Sequence, residues 1–177
     1  LFLSPASGNF EVGGKFSVKV MVNSGGSPGI NAAEGAIKYD PNQLLVTGLS
    51  QASSIFKLWT TEPTYSNTNG TISFGGGSPG PYTGEAGTVF TVTFSAKQAG
   101  EAEVTYTKGS ILAADGMGTD VFSGFGNAKF TLTEPAPEPE PEPQEPERQQ
   151  PPPRQEEEED DEPKGIKPPK PEINSDT

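Results

Sequence analysis

The chain has 177 residues with 24 acidic and 12 basic side chains, and it contains neither histidine nor cysteine. Disulfides, cysteine nucleophiles, histidine acid–base chemistry and the usual transition-metal ligand sets are therefore excluded. All the aromatic residues and 21 of the 22 glycines precede Glu134, a region with nine acidic and seven basic side chains; Glu134 to Thr177 carries fifteen and five.

This division predicts one domain over residues 1–133, large enough for a single core, followed by a disordered, acidic Pro/Glu-rich linker over 134–177. No cluster of Lys or Arg is visible, which argues against a nucleic-acid partner, and the acidic balance repels anionic membranes. No apolar run approaches the ~18 residues that a membrane span requires. The chain opens Leu-Phe-Leu-Ser without an initiator Met and ends on a polar run, so it reads as a segment of a longer precursor whose export signal and anchor lie elsewhere.

In chain order, Phe10 and Val12 lead into Gly13-Gly14. Phe16, Val18, Val20 and Val22 then alternate with Lys15, Ser17, Lys19 and Met21 as a half-buried strand. After a loop from Asn23 to Gly29, the stretch Gly29 to Val46 reads as strand, turn and strand. Ala33, Gly35, Ile37 and Tyr39 fall on one side, and Ala32, Glu34, Ala36 and Lys38 on the other. Asp40-Pro41-Asn42 stops the strand by turn chemistry, and Leu44 to Leu49 resumes it.

Ser53 to Tyr65 carries no clear period. Asn67-Thr68-Asn69-Gly70 is a hairpin signal and Thr71 to Phe74 the returning strand. Asn69-Gly70-Thr71 also matches a glycosylation acceptor, although the hairpin role explains it more simply. Gly75 to Gly87 reads as a Gly/Pro loop. Phe90, Val92, Phe94 and Ala96 form the next inward row, then Ala102, Val104 and Tyr106. Ile111 and Leu112 are a brief apolar touch, and Ala128, Phe130 and Leu132 close the domain. Period two throughout predicts an all-β fold, an antiparallel β-sandwich with almost no helix.

Four stretches together, Phe10 to Phe16, Gly29 to Val46 with its Tyr39-Asp40-Pro41-x-x-Leu44 ending, Gly87 to Phe94 and Ile111 to Val121, resemble the cohesin domain of bacterial cellulosome scaffolds and cell-surface proteins, in that family's order and spacing. Carbohydrate-binding module sandwiches share much of the alternation. The cohesin resemblance implies a jelly roll of about nine strands. It also implies an extracellular or bacterial cell-surface setting, tied to polysaccharide breakdown or attachment, and a partner that is a dockerin-like, calcium-loaded helical module. The partner face would be the outward side of Ile30 to Tyr39, with Ala32, Glu34, Ala36 and Lys38 as its residues. The position matching Glu34 keeps the family's acid; Ala32 lacks a hydrogen-bonding group.

Other chemistry is sparse. Glu34, Asp40, Glu62, Glu85, Glu101 and Glu103 are the only carboxylates that a glycoside-cleaving pair could draw on, and they read as solvated strand edges and turn formers. No enzyme, no catalytic residue, no cofactor and no metal are expected. Asp115 and Asp120 in the loop 114–120 read as Asx-type turn formers, with a loop calcium as the alternative. The second functional reading is direct binding of a surface polysaccharide by aromatic stacking on Trp59, Tyr65 and Tyr82, with Phe56 nearby. In the linker, prolines and like charges favour an extended chain, at most roughly 130 Å long.

Overall fold

The computed structural model describes residues 1–26 and 29–136. They form ten strands: β1 (Phe2–Ser4), β2 (Ser7–Glu11), β3 (Lys15–Val22), β4 (Ile30–Tyr39), β5 (Leu44–Ser50), β6 (Leu58–Ser66), β7 (Thr71–Tyr82), β8 (Gly87–Ala96), β9 (Gly100–Ala113) and β10 (Ala128–Thr133). No helix occurs among the described residues. The linker expected from sequence lies, from residue 137 onward, outside the described residues.

Two sheets stack face to face, one in the order β1-β3-β8-β5 and the other β2-β10-β9-β4-β7-β6. Each strand buries every second residue because successive side chains leave a strand on opposite faces. On β8, Phe90, Val92, Phe94 and Ala96 are buried between half-buried Thr91, Thr93 and Ser95. On β4, Ala33, Gly35, Ile37 and Tyr39 point in while Glu34 and Lys38 are exposed. Phe16, Phe94 and Phe130 meet where the two inner faces touch, with ring centroids 5.1 Å apart for Phe16 and Phe130 and 5.8 Å for Phe16 and Phe94.

Several elements depart from the sequence reading. The pairing is antiparallel except for β2 and β10, which run parallel in the register Lys129↔Ser7 to Thr133↔Glu11. The chain leaves the first sheet after Ser4 and enters the second at Ser7, and this crossing sets β2 alongside the last strand. Met21, expected on the wet side of β3, is buried; it sits at a register shift with Phe2 opposite it on one edge and Thr88 on the other.

The Gly75 to Gly87 stretch is not all loop, because β7 continues through Gly75, Gly76 and Gly77 to Tyr82. Glycine is depleted in strands unless another group approaches closely, and here one does: a Cβ on Gly76 would stand 2.6 Å from the Trp59 ring. The unassigned Ser53 to Tyr65 stretch contains β6, the outer strand of its sheet, which tolerates Pro63 and two register shifts because one edge is unpaired. Ile111 and Leu112 belong to the uninterrupted β9.

The Asp40 turn forms as expected, with the Asn42 amide donating to Asp40 Oδ1 at 2.8 Å. Asn67, assigned to a turn by sequence, does more. Its Oδ1 accepts from the Tyr39 hydroxyl at 2.7 Å and from the Val46 amide at 2.9 Å, and its Nδ2 donates to the Val46 carbonyl at 3.0 Å. Tyr39 lies in the six-stranded sheet and Val46 in the four-stranded one, so one side-chain amide pins the two together. Burial, and secondarily the nearby Tyr65, raises the Tyr39 hydroxyl to about 12, which keeps it a donor across the physiological range. Asn67→Ala strands the Val46 amide and carbonyl and leaves the Tyr39 hydroxyl only its longer bond to the Ser66 carbonyl at 3.3 Å. It is expected to cost about 2–3 kcal/mol, read as a lower denaturant midpoint at an unchanged slope.

Candidate functional site

The outward side of β4 is the floor of the widest exposed face. Ala32, Glu34, Ala36 and Lys38 follow one another along it at period two. Across from them stand Leu112, Ser110, Lys108 and Thr105 on β9, and Gly77, Gly75, Ser73 and Thr71 on β7. Glu34 and Lys38 are four residues apart, so their charges lie roughly 13 Å apart along the strand. The Lys38 ammonium donates to the Asn69 carbonyl at the β6–β7 turn, which ties its stem to the lower end of the face. Glu34 has no ion-pair partner among the described residues; there the salt bridge is between Lys129 and Glu101, at 2.8 Å and largely exposed.

A groove of about 700 Å³ opens at the upper end of this face. Ala32, Gly75 and Gly77 form its bed, Leu58 of β6 and Leu112 of β9 its two sides, and Glu34 its rim. Leu58 is 60% exposed, unusual for a large aliphatic side chain. The bed carries no side chain at these glycines, because a Cβ on Gly75 would meet the Thr60 hydroxyl at 3.0 Å and one on Gly77 would strike the Asn31 carbonyl. The arrangement has the physical character of a contact surface: small residues that permit close approach, an exposed apolar side chain, and two unlike charges that fix orientation.

The six carboxylates considered for glycoside cleavage, Glu34, Asp40, Glu62, Glu85, Glu101 and Glu103, are all exposed. In the aromatic set, Phe56 is buried. Trp59 is half-buried and packs edge-on against Phe56 with centroids 6.0 Å apart. Tyr82 is half-buried and packed against the core, and Tyr65 is 44% exposed.

The loop after β9 is held by its own acids. Asp115 accepts from the Thr119 hydroxyl and from the Met117 amide at 2.8 Å. Asp120 accepts from the Phe122 amide at 2.8 Å and the Ser110 hydroxyl at 3.0 Å. These bonds hold both carboxyls below the ordinary 3.8, through Thr119 foremost for Asp115 and the Phe122 amide foremost for Asp120. No group of three or more possible metal-ligating side chains converges among the described residues.

Because the folded values lie below the unfolded ones, the ionised acids support the loop at any pH above about 4. That support is lost as pH falls from there through the lowered folded values. The protection of the Met117 and Phe122 amides against hydrogen exchange, taken relative to the intrinsic rate at each pH, is therefore expected to fall in acid while the Val18 and Val92 amides stay protected.

A two-sheet sandwich with one broad, grooved and charge-marked face defines a jelly-roll module built to present a surface. The family model described as the cohesin domain matches residues 3–122, and the chain belongs to the cohesin family. No curated protein matches it. Among solved structures it is similar to the seventh ScaB type I cohesin of Pseudobacteroides cellulosolvens, with 23% identity and TM-score 0.64 over 77% of this chain and 92% of that one. It is similar also to a non-cellulosomal cohesin of the archaeon Archaeoglobus fulgidus, with 18% identity and TM-score 0.61 over 75% and 89%. A third is the third cohesin ScaC of Acetivibrio cellulolyticus, solved in complex with the ScaB dockerin, with 16% identity and TM-score 0.53 over 72% and 94%. At these identities the structural likeness shows the fold, and the family model carries the membership.

Proposed function

We propose that residues 1–133 form a non-catalytic docking module that receives a dockerin-like protein on the outward face of β9, β4, β7 and β6. The observation that carries this reading is the row Ala32, Glu34, Ala36 and Lys38. It follows one face of a continuous strand with Glu34 and Lys38 exposed and Ala32 and Ala36 half-buried, bears one charge of each sign, and runs into the groove between Leu58 and Leu112. Family membership supports it, as does the ScaC relative solved with a dockerin. In this reading the module works in an extracellular or cell-surface setting connected with polysaccharide breakdown or attachment. Residues 134–177 serve as an acidic spacer holding it off a neighbouring domain or wall.

Direct carbohydrate binding has the support of Tyr65 alone. Trp59 and Tyr82 are half-buried, and a stacking platform needs its ring faces free.

The test is capture from the source organism's secreted proteins on the immobilised chain. Retention of a specific protein that is released by a calcium chelator supports docking, because a calcium-loaded helical partner unfolds when its metal is removed. Retention of the chain on cellulose or chitin, lost in Trp59→Ala, would transfer the assignment to the carbohydrate reading.

A further inference from the structure

The Asn67 to Gly70 turn holds two asparagines in opposite chemical situations. The Asn67 side chain is occupied by Tyr39 and Val46 as described above. Asn69 is exposed and its side-chain amide has no hydrogen bond among the described residues. Its backbone N–H donates to the Ser66 hydroxyl at 3.2 Å and its carbonyl accepts from Lys38, so the backbone is anchored while the side chain is free.

The next residue is Gly70, in the left-handed region at φ 62°. Its amide donates to no acceptor outside the strand ladders among the described residues. Only glycine fits, because a Cβ would strike the Tyr39 carbonyl and stand 2.8 Å from Pro41 Cδ. Gly70 is itself buried, packed under the Tyr39 carbonyl and Pro41, while the carboxamide beside its nitrogen is exposed and unheld.

We propose that Asn69 is a site of spontaneous deamidation, an ageing modification set at the lower end of the docking face. When the turn opens to solvent, the Gly70 amide nitrogen, deprotonated by hydroxide, attacks Asn69 Cγ. The new N–Cγ bond closes a cyclic imide, the Cγ–Nδ2 bond breaks, and Nδ2 leaves as ammonia with a proton taken from water. Water then opens either imide carbonyl, giving aspartate, or isoaspartate with the backbone rerouted through the side chain.

Each product adds a carboxylate next to the Lys38 ammonium. The isoaspartate also lengthens the backbone between the Asn69 carbonyl that holds Lys38 and the Gly70 carbonyl that accepts from the Tyr39 amide at 2.9 Å. Two internal comparisons sharpen the assignment. Asn67 is followed by Thr68 and has its carboxamide tied at both ends. Asp115 is also followed by a glycine, but its carboxylate is engaged by Met117 and Thr119.

The test ages the purified full chain for days in mildly alkaline buffer at physiological temperature. Products are separated by ion exchange and mapped by fragmentation mass spectrometry with isoaspartate methyltransferase labelling. The expected result is one more acidic species, carrying the amide-to-acid mass change at Asn69 with isoaspartate in excess. That species should be absent in Asn69→Gln, with Asn67 and Asp115 unchanged. Asn69 intact in the folded chain but converted in a denatured sample of the same buffer would overturn the proposal, because the hairpin would then protect the site. Conversion confined to other asparagines would overturn it equally.

Discussion

Truncating Phe94 to alanine is expected to remove about 3–5 kcal/mol of stability, among the largest losses available to any single substitution in this domain. Phe94 is 1% exposed and lies on β8, the strand between β3 and β5. It pairs with Phe16 on one side and Val46 on the other. Its ring meets Tyr39 of the opposite sheet edge-on at 5.5 Å and Phe16 at 5.8 Å. Alanine there would leave a cavity bounded by paired strands on both sides, and hydrogen-bonded ladders cannot close in to fill it.

Total stabilities of about 5–15 kcal/mol are usual for a domain, so the loss is a large fraction of what holds the sandwich together. A fall of about 10–20 °C in Tm is expected by calorimetry, with the same direction in a chemical denaturation midpoint. Phe94→Leu, which keeps most of the volume, should cost under about 1.5 kcal/mol. Leu45→Ala, on neighbouring β5 but 37% exposed, should cost under about 1 kcal/mol. Equal effects at Leu45 and Phe94 would mean that the core is not where the alternation puts it.

The strands that sequence displays best are those whose two faces meet different surroundings. β3, β8 and β10 each set an apolar row against Lys, Thr or Ser, and one face of each is buried on the opposite sheet. The Asp40 turn and the Asn69-Gly70 hairpin were equally legible, because Asx bonding and a positive φ are local demands met by particular residues. The part of β7 beyond Phe74 was not. Its three consecutive glycines carry no alternation, and the reasons for them lie on neighbouring strands: Thr60 for Gly75, the Trp59 ring for Gly76 and the Asn31 carbonyl for Gly77. The parallel pairing of β2 with β10 joins the two ends of the domain, a separation that no window of sequence spans.

The same distinction divides the candidate face. Glu34 and Lys38 could be placed outward from period two alone. The groove beside them needed Leu58, Gly77 and Leu112 brought together from three strands. The role of Asn67 as a clamp between sheets was hidden by its good fit to a turn motif. An unsatisfied pair at Val46 was the missing signal, and that becomes visible only once β5 is placed next to the turn.

Glu34→Lys is expected to abolish docking while leaving the fold intact, the largest functional effect of any single change on this face. Glu34 is exposed, without a cation to neutralise it among the described residues, and it rims the groove at the upper end of the face. A partner covering it must supply a donor or a positive charge. Reversal turns that contact into a buried repulsion, costing about 2–5 kcal/mol, or roughly thirtyfold to several-thousandfold in Kd. Because the side chain stands off the ladder, melting temperature should move by no more than a degree or two.

Lys38→Glu should weaken binding less, since Lys38 lies at the lower end of the row and is already engaged with Asn69. Its effect should appear mainly in the association rate and fade at high salt. Lys19→Glu lies on the outward side of the four-stranded sheet and should leave binding unchanged. Titration of the captured partner by calorimetry separates these outcomes. A loss that follows Lys19 rather than Glu34 would move the docking surface to the opposite sheet. A Glu34→Lys variant that binds as the parent does would mean that the partner neither covers this carboxylate nor uses the groove it rims.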